Sequence, residues 1–311
     1  MSSIKLPNLV IAGVVKSGTT SIYSYLSRHR DICPSSVKET CYFSYYRYGK
    51  WDKRYSEELE PYQQYLGYFS QCENQKYIME ATPGYFEGGG KLAREIQKTL
   101  GDNVKILIVL RDPIGRLFSF FKYKKSMLEL DRQLTLAEYI SKCQAMPIEQ
   151  KIKEENDRYW GIDGGFYANY LPDWFDVFGD NLKIMFFDDL KQDPKLLLKD
   201  LCQWLEIDFS IYESSSFEVE NKSRNYKSQA LQKIALLVNN KAEKFWRANQ
   251  GIKTALRNIY YAVNGQSHQE TINEKTLDYL KSIYNPYNRK LAGQLAERGY
   301  TDLPSWLAEL N

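Results

Sequence analysis

The stretch Leu9-Val10-Ile11-Ala12-Gly13-Val14-Val15-Lys16-Ser17-Gly18-Thr19-Thr20-Ser21 decides the fold. Leu9 to Gly13 is continuously apolar, the pattern of a strand covered on both faces, as in a parallel sheet. Beyond the turn, Ile22, Tyr25, Leu26 and His29 recur at helical spacing. Strand, glycine-containing turn and helix N-terminus together surround one point with free backbone N–H groups and the positive end of a helix dipole. Lys16 adds a charge there, Ser17 and Gly18 shape the turn, and Thr19, Thr20 and Ser21 add hydroxyl donors. The loop therefore reads as an anion cradle rather than a merely capped helix start. A nucleotide-triphosphatase loop, GxxxxGK[ST], places its lysine after the second glycine, beside a hydroxyl that holds magnesium. Here Lys16 comes two residues before Gly18. The displacement favours a phosphate-containing donor and disfavours ATP chemistry at a P-loop metal.

Three more apolar runs, Tyr77 to Met79, Ile106 to Leu110 and Ile184 to Phe187, read as buried strands separated by helix-period segments. This alternation predicts an α/β fold, a P-loop-like doubly wound parallel sheet flanked by helices. Asp112-Pro113 and Asp193-Pro194 mark helix starts, with aspartate capping and proline in the first turn. Beyond Asn221 the pattern is helical, with spans at Leu231 to Phe245, Glu274 to Tyr284 and Asn288 to Arg298. No linker or repeat interrupts the chain, so residues 1–311 read as a single domain with a helical C-terminal third.

The charge balance, 42 Lys+Arg against 39 Asp+Glu, is too even for a nucleic-acid binder. The longest strongly apolar stretch, Leu9 to Val15, is far short of a membrane span, and Met1 to Lys5 lacks a signal-peptide pattern. These features predict a cytoplasmic protein with no membrane partner. Five scattered cysteines without a CxxC pair predict reduced thiols and no metal. With only two histidines, His29 and His268, a general base is expected to be a carboxylate; His29 reads as structural.

Two further constellations carry chemistry. Arg111 follows the Ile106–Leu110 strand, at the sheet edge where α/β proteins bind ligands. A helix starting at Pro113 would put Asp112, Arg116 and Ser119 on one face, with Ser119 toward the same anion as Arg111. On this motif alone, a fixed phosphate site and a surface salt bridge stand about even. The second is Lys38-Glu39-Thr40-Cys41-Tyr42-Phe43, where a carboxylate beside a lysine is a candidate general base.

Taken in order, Lys16–Ser21, Arg111-Asp-Pro113 with Arg116 and Ser119, and Lys38-Glu39 before an aromatic pair resemble the sulfotransferases that use 3′-phosphoadenosine-5′-phosphosulfate (PAPS). The likeness is greatest to the heparan-sulfate-type and related bacterial branch. Glu80-Ala-Thr-Pro-Gly-Tyr-Phe86, Tyr167 with Leu171, Trp174 and Phe175, and a tail from Asn285-Pro286 to Trp306-Leu307 extend the resemblance over nearly the whole chain.

The resemblance implies that Lys16, Ser17, Gly18, Thr19, Thr20 and Ser21 hold the 5′-phosphosulfate. Arg111 and Ser119 would hold the 3′-phosphate, with Lys227 and Ser228 closing over it, or alternatively Lys253 and Arg257. Glu39 would be the catalytic base and Lys16 would stabilise the leaving oxygen. Lys38, Phe43, Tyr85 and Tyr167 would face the acceptor. PAPS is then the co-substrate and 3′-phosphoadenosine-5′-phosphate (PAP) the product, with no metal. The acceptor is a hydroxyl, or an amine-type nitrogen, of a small-molecule natural product or a saccharide. The segments Tyr45 to Tyr68 and Lys122 to Tyr159 are where its specificity is expected. Three departures stand out: Ala81 replaces a lysine, Cys41 replaces a frequent histidine, and no basic loop is evident around Asn264 to Gln269. Alternative readings are a P-loop nucleotide kinase or hydrolase, to whose magnesium-binding aspartate Asp188-Asp189 is only a weak match, and a non-catalytic binding module that retains the fold.

Overall fold

Five strands, β1 (Leu9–Gly13), β2 (Ile32–Pro34), β3 (Tyr77–Ala81), β4 (Lys105–Leu110) and β5 (Leu182–Phe186), form one parallel sheet in the order β2-β3-β1-β4-β5. The computed structural model describes residues 5–52, 55, 58–213, 217, 225–242, 250–266 and 270–309. His268 lies outside them, as does the Lys253 side chain.

The continuous apolar runs are explained by burial on both faces. Val10, Ala12, Ile106, Ile108 and Leu110 point into a core shared with the helix Gly89–Leu100 and with Trp174. Their alternate neighbours Leu9, Ile11, Leu107 and Val109 pack under the helices Thr19–Leu26 and Pro194–Leu205. Both Asp-Pro signals mark helix starts. Asp112 accepts from the N–H groups of Ile114 and Gly115 to open Pro113–Ser126, and Asp193 accepts from Lys195 and Leu196 to open Pro194–Leu205.

The structure departs from the sequence reading in four places. β2 was not expected; at three residues, ending on proline, it is too short to show a pattern. The two late helices are one, Glu274–Ala296, which continues through Pro286. Before the helix Gln229–Lys241 and after the helix Gln250–Asn264, β6 (Asn225–Tyr226) and β7 (Gly265–Gln266) pair as an antiparallel ribbon where only helix was expected. Finally, the cysteines are not all reduced: Cys33 and Cys72 form a disulfide across a sequence separation of 39. The bridge ties β2 to the segment entering β3, a proximity that no spacing rule reveals. Cys41, Cys143 and Cys202 are free thiols. Among the described residues, no helix is long and apolar enough to cross a membrane.

Alkylation of the unfolded, unreduced protein followed by mass spectrometry is expected to label three cysteines, and five after reduction. Labelling of all five without reduction would exclude the bridge. Cys33→Ser with Cys72→Ser is expected to lower stability by about 3 kcal/mol, chiefly through a freer unfolded chain.

Candidate active site

The connection leaving β1 runs toward β2, while that leaving β4 runs toward β5, so their C-terminal ends diverge. Such a switch point opens a crevice at the carboxyl edge of the sheet. A cavity of about 680 Å³ occupies it, of a size suited to a small ligand.

Its floor is the loop after β1. Gly18 stands before the helix Thr19–Leu26 with φ 80°, and no side chain caps that N-terminus, so the N–H groups of Thr19 and Thr20 are open to an anion, while that of Ser21 donates to the Gly18 carbonyl. A Cβ at Gly18 would meet Leu190 Cδ2 at 2.5 Å, so both conformation and space require glycine. The Ser17 hydroxyl is buried in the loop without a hydrogen-bond partner. Five non-glycine residues among those described have positive φ, and three of them, Lys16 (74°), Glu39 (65°) and Cys41 (56°), line the cavity. Each such conformation costs about 1 kcal/mol or more and persists only where the surroundings impose it.

Arg111 does part of this imposing. Its Nη1 donates to the Lys16 carbonyl at 2.8 Å, its guanidinium lies 4.4 Å over the Phe187 ring, and its own carbonyl accepts from Tyr167 Oη at 2.8 Å. The Lys16 Nζ lies 4.3 Å over the Tyr123 ring. Burial pulls the Lys16 ammonium down to about 8, Arg111 pushes it the same way, and Glu39 opposes both. Burial also lowers Arg111 and Lys122 from their usual ranges.

The Glu39 segment is held from below. The Glu39 N–H donates to the Ala81 carbonyl at 2.8 Å, and the Cys41 N–H to Thr82 Oγ1 at 3.3 Å. Beneath them the Glu80 carboxylate is wholly buried and accepts from the hydroxyls of Thr40, Tyr65, Thr82 and Tyr85. Burial pushes this carboxyl up, and the four hydroxyls pull it back. Glu39 itself is half exposed and accepts from Lys38 Nζ at 2.7 Å.

The cations of the cavity fall into two groups. Arg47 pairs with Glu87 at 2.8 Å, Lys50 with Glu154 at 3.1 Å, and Lys124 with Glu129 at 2.7 Å and Asp157 at 3.0 Å. Lys16, Arg111 and Lys122 make no ion pair among the described residues, and they gather where the β1 and β4 loops meet.

Of the residues singled out in the sequence, Lys16, Gly18, Thr19, Thr20, Glu39, Arg111 and Ser119 come together around the cavity, whereas Ser17 and Ser21 are buried and do not line it. Phe43, Tyr85 and Tyr167 do not line it. All three are buried: Phe43 in an aromatic cluster, Tyr85 on Glu80, and Tyr167 on the Arg111 carbonyl. Lys38 is drawn to Glu39 rather than into the cavity. Arg116 is buried and donates to the Gly161 carbonyl. Lys227 and Ser228 lie elsewhere: Lys227 N–H donates to the Asn264 carbonyl, and Ser228 caps the helix Gln229–Lys241. His29 is buried and bonded to the Asp208 carbonyl, a structural role. The reading missed Trp160, and it placed Arg47 and Lys122 only within the segments expected to set acceptor specificity. Lys122 sits three residues beyond Ser119 on the same helix, a spacing that announces it. Arg47 carries no such signal.

The sulfotransferase domain profile matches residues 6–258, and the chain belongs to that family. It is 34% identical over 152 residues to a membrane-associated sulfotransferase, kil1, of Dictyostelium discoideum, an alignment covering 49% of this chain and 28% of the relative. It is 23% identical over 317 residues to the human bifunctional heparan sulfate N-deacetylase/N-sulfotransferase 1, covering 98% of this chain and 31% of that protein. The chain thus spans about a third or less of the length of these curated relatives. A sulfotransferase from Alicyclobacillus acidocaldarius has the same fold, with a TM-score of 0.67 at 19% identity over 97% of this chain and 99% of that one.

Gly18→Ala is expected to lower stability by about 1–3 kcal/mol in urea titration. Gly84→Ala, where a Cβ would meet nothing within 4 Å, is expected to stay near wild type. Equal effects would remove the strain argument for the loop.

Proposed function

We propose that the chain transfers the sulfuryl group of PAPS to a hydroxyl, or an amine-type nitrogen, of a small-molecule or saccharide acceptor. The division of charge in the cavity carries this reading. Lys16, Arg111 and Lys122 have no carboxylate partner among the described residues, whereas the cations farther along the wall do. The open helix N-terminus and the unpartnered Ser17 hydroxyl fit the 5′-phosphosulfate. Arg111 spends one of its five donors on Lys16 and keeps the others for the 3′-phosphate, beside Ser119.

In this reading the acceptor oxygen attacks sulfur in line, the bond from sulfur to the 5′-phosphate oxygen breaks, and the acceptor proton passes to Glu39. Lys16 stabilises the charge that grows on the departing oxygen. A transferring sulfuryl group carries less negative charge than a phosphoryl group, which lets a lysine stand where phosphoryl-transfer enzymes use magnesium. Arg47, Tyr48, Trp160 and the Lys50 and Lys124 ion pairs form the wall left for the acceptor. Family membership favours this reading over a nucleotide kinase. The Cys33–Cys72 bridge favours a compartment where disulfides persist over the cytoplasm expected from the sequence.

Glu39→Gln is expected to lower kcat by roughly 10²–10⁴-fold while leaving the PAP Kd within about threefold of wild type. Full activity in this variant would assign the base elsewhere. A wild type that binds PAP yet sulfates nothing in a broad acceptor panel would favour the binding-module alternative. An anion selects the protonated form of Lys16, so PAP binding should be strong below pH 8 and weaken as pH rises through about 8. Calorimetry at pH 7 and pH 9 checks this, and Lys16→Met should flatten the dependence. A wild-type affinity that does not change over this range would contradict the role given to Lys16.

A further inference from the structure

The helices Gln229–Lys241 and Gln250–Asn264 leave large apolar side chains in solvent. Leu231, Ile234, Leu237 and Val238 are 44–58% exposed on the first, and Ile252, Leu256, Ile259 and Val263 are 48–63% exposed on the second. The second set follows the i, i+4, i+7, i+11 pattern, a stripe roughly 60° wide at the helical repeat, and the first spans roughly 120°. Neither stripe faces the protein's own core, because other residues make the attachment. Gln232 Nε2 donates to the Ser126 carbonyl at 2.7 Å, Tyr260 Oη bonds Gln232, and Asn264 bonds both the N–H and the carbonyl of Ser228.

Within the described residues of the helix pair and its ribbon the charge has one sign. Residues 225–242 and 250–266 contain Lys227, Lys233, Lys241, Lys253 and Arg257 and not one Asp or Glu. The whole chain is at +3, so these five cations leave the remainder at −2. Lys227 and Lys233 are exposed. An amphipathic helix with apolar residues on one side and only cations on its polar side is the pattern of segments that lie in the headgroup layer of an anionic membrane.

We propose that this helix pair docks the protein peripherally on an anionic phospholipid surface, with the two apolar stripes at the acyl boundary and the exposed Lys227 and Lys233 at the level of the phosphates. The occupant is inferred from charge complementarity and is independent of the catalytic reading. It adds a membrane partner where the sequence, read for spanning segments, predicted none. Ser126, where the pair attaches, ends the helix that carries Ser119, Lys122 and Tyr123 into the cavity. Docking would hold the site about 10 Å along that helix from the attachment point, given its rise per residue.

The test is co-sedimentation of the full chain with phosphatidylcholine vesicles, with and without phosphatidylserine. The bound fraction is expected to rise at least roughly tenfold with phosphatidylserine and to fall in high salt. Ile234→Glu with Ile259→Glu should abolish binding while leaving the circular dichroism spectrum and PAP affinity unchanged, since both side chains are exposed. Absence of binding to anionic vesicles, or binding that survives this double variant, would overturn the proposal. So would a wild-type dimer in light scattering that the same variant dissociates, which would assign the face to a second copy of the chain.

Discussion

The hydrogen bond from the Arg111 guanidinium to the Lys16 carbonyl couples the ends of two strands that the fold drives apart. β1 and β4 run side by side with a register shift between Ile11 and Gly13, and past their last paired residues the two chains leave in opposite directions. A loop there has little sheet left to hold it. Val14 still donates to the Val109 carbonyl at 3.1 Å, and beyond that point the Arg111 side chain takes over. Tyr167 in turn fixes the Arg111 backbone. Through this chain of contacts a lysine is kept in a left-handed conformation, and the uncapped helix behind it stays aimed at the cavity. One cation thus serves as scaffold and, in the proposed function, as part of the anion site.

Much of this was legible in the sequence, for physical reasons. Runs such as Leu9–Gly13 and Ile106–Leu110 are apolar on consecutive residues because both faces of the sheet are covered. The Asp-Pro pairs announce helix starts because their chemistry is local. What stayed hidden depends on contacts distant in sequence. Nothing near Cys33 points to Cys72, and nothing in Pro286 shows that its helix continues. Phe43, Tyr85 and Tyr167 illustrate a different difficulty. A ring that stacks on a ligand and a ring that fills a core look alike in sequence, and here all three are buried. Arg116 and Ser119 lie on neighbouring positions of one helix, yet one is consumed by the Gly161 carbonyl and the other reaches the cavity.

The buried Glu80 shows how the acceptor side is held without a charged partner. At the position after this glutamate, where the resemblance leads one to expect a lysine, Ala81 packs into the core beneath the helix Thr19–Leu26. Four hydroxyls satisfy the carboxylate instead, and one of them belongs to Thr40, between Glu39 and Cys41. An unpaired carboxyl in such a place would be costly, so the hydroxyls and the Glu39 segment are fixed together. Glu39, the proposed base, is therefore positioned from beneath by a network that contains no cation, and the positive charge of the cavity is left to the end proposed for the donor.

The central claim is that this positive end is built for a nucleotide with phosphates at both the 3′ and 5′ positions. Isothermal titration of the protein with PAP, and separately with ATP and magnesium, tests it most directly. The account predicts that PAP binds at least roughly a hundredfold more tightly, the worth of two or so charge-assisted hydrogen bonds at the 3′-phosphate. Equal affinity, or tighter binding of ATP with magnesium, would contradict it.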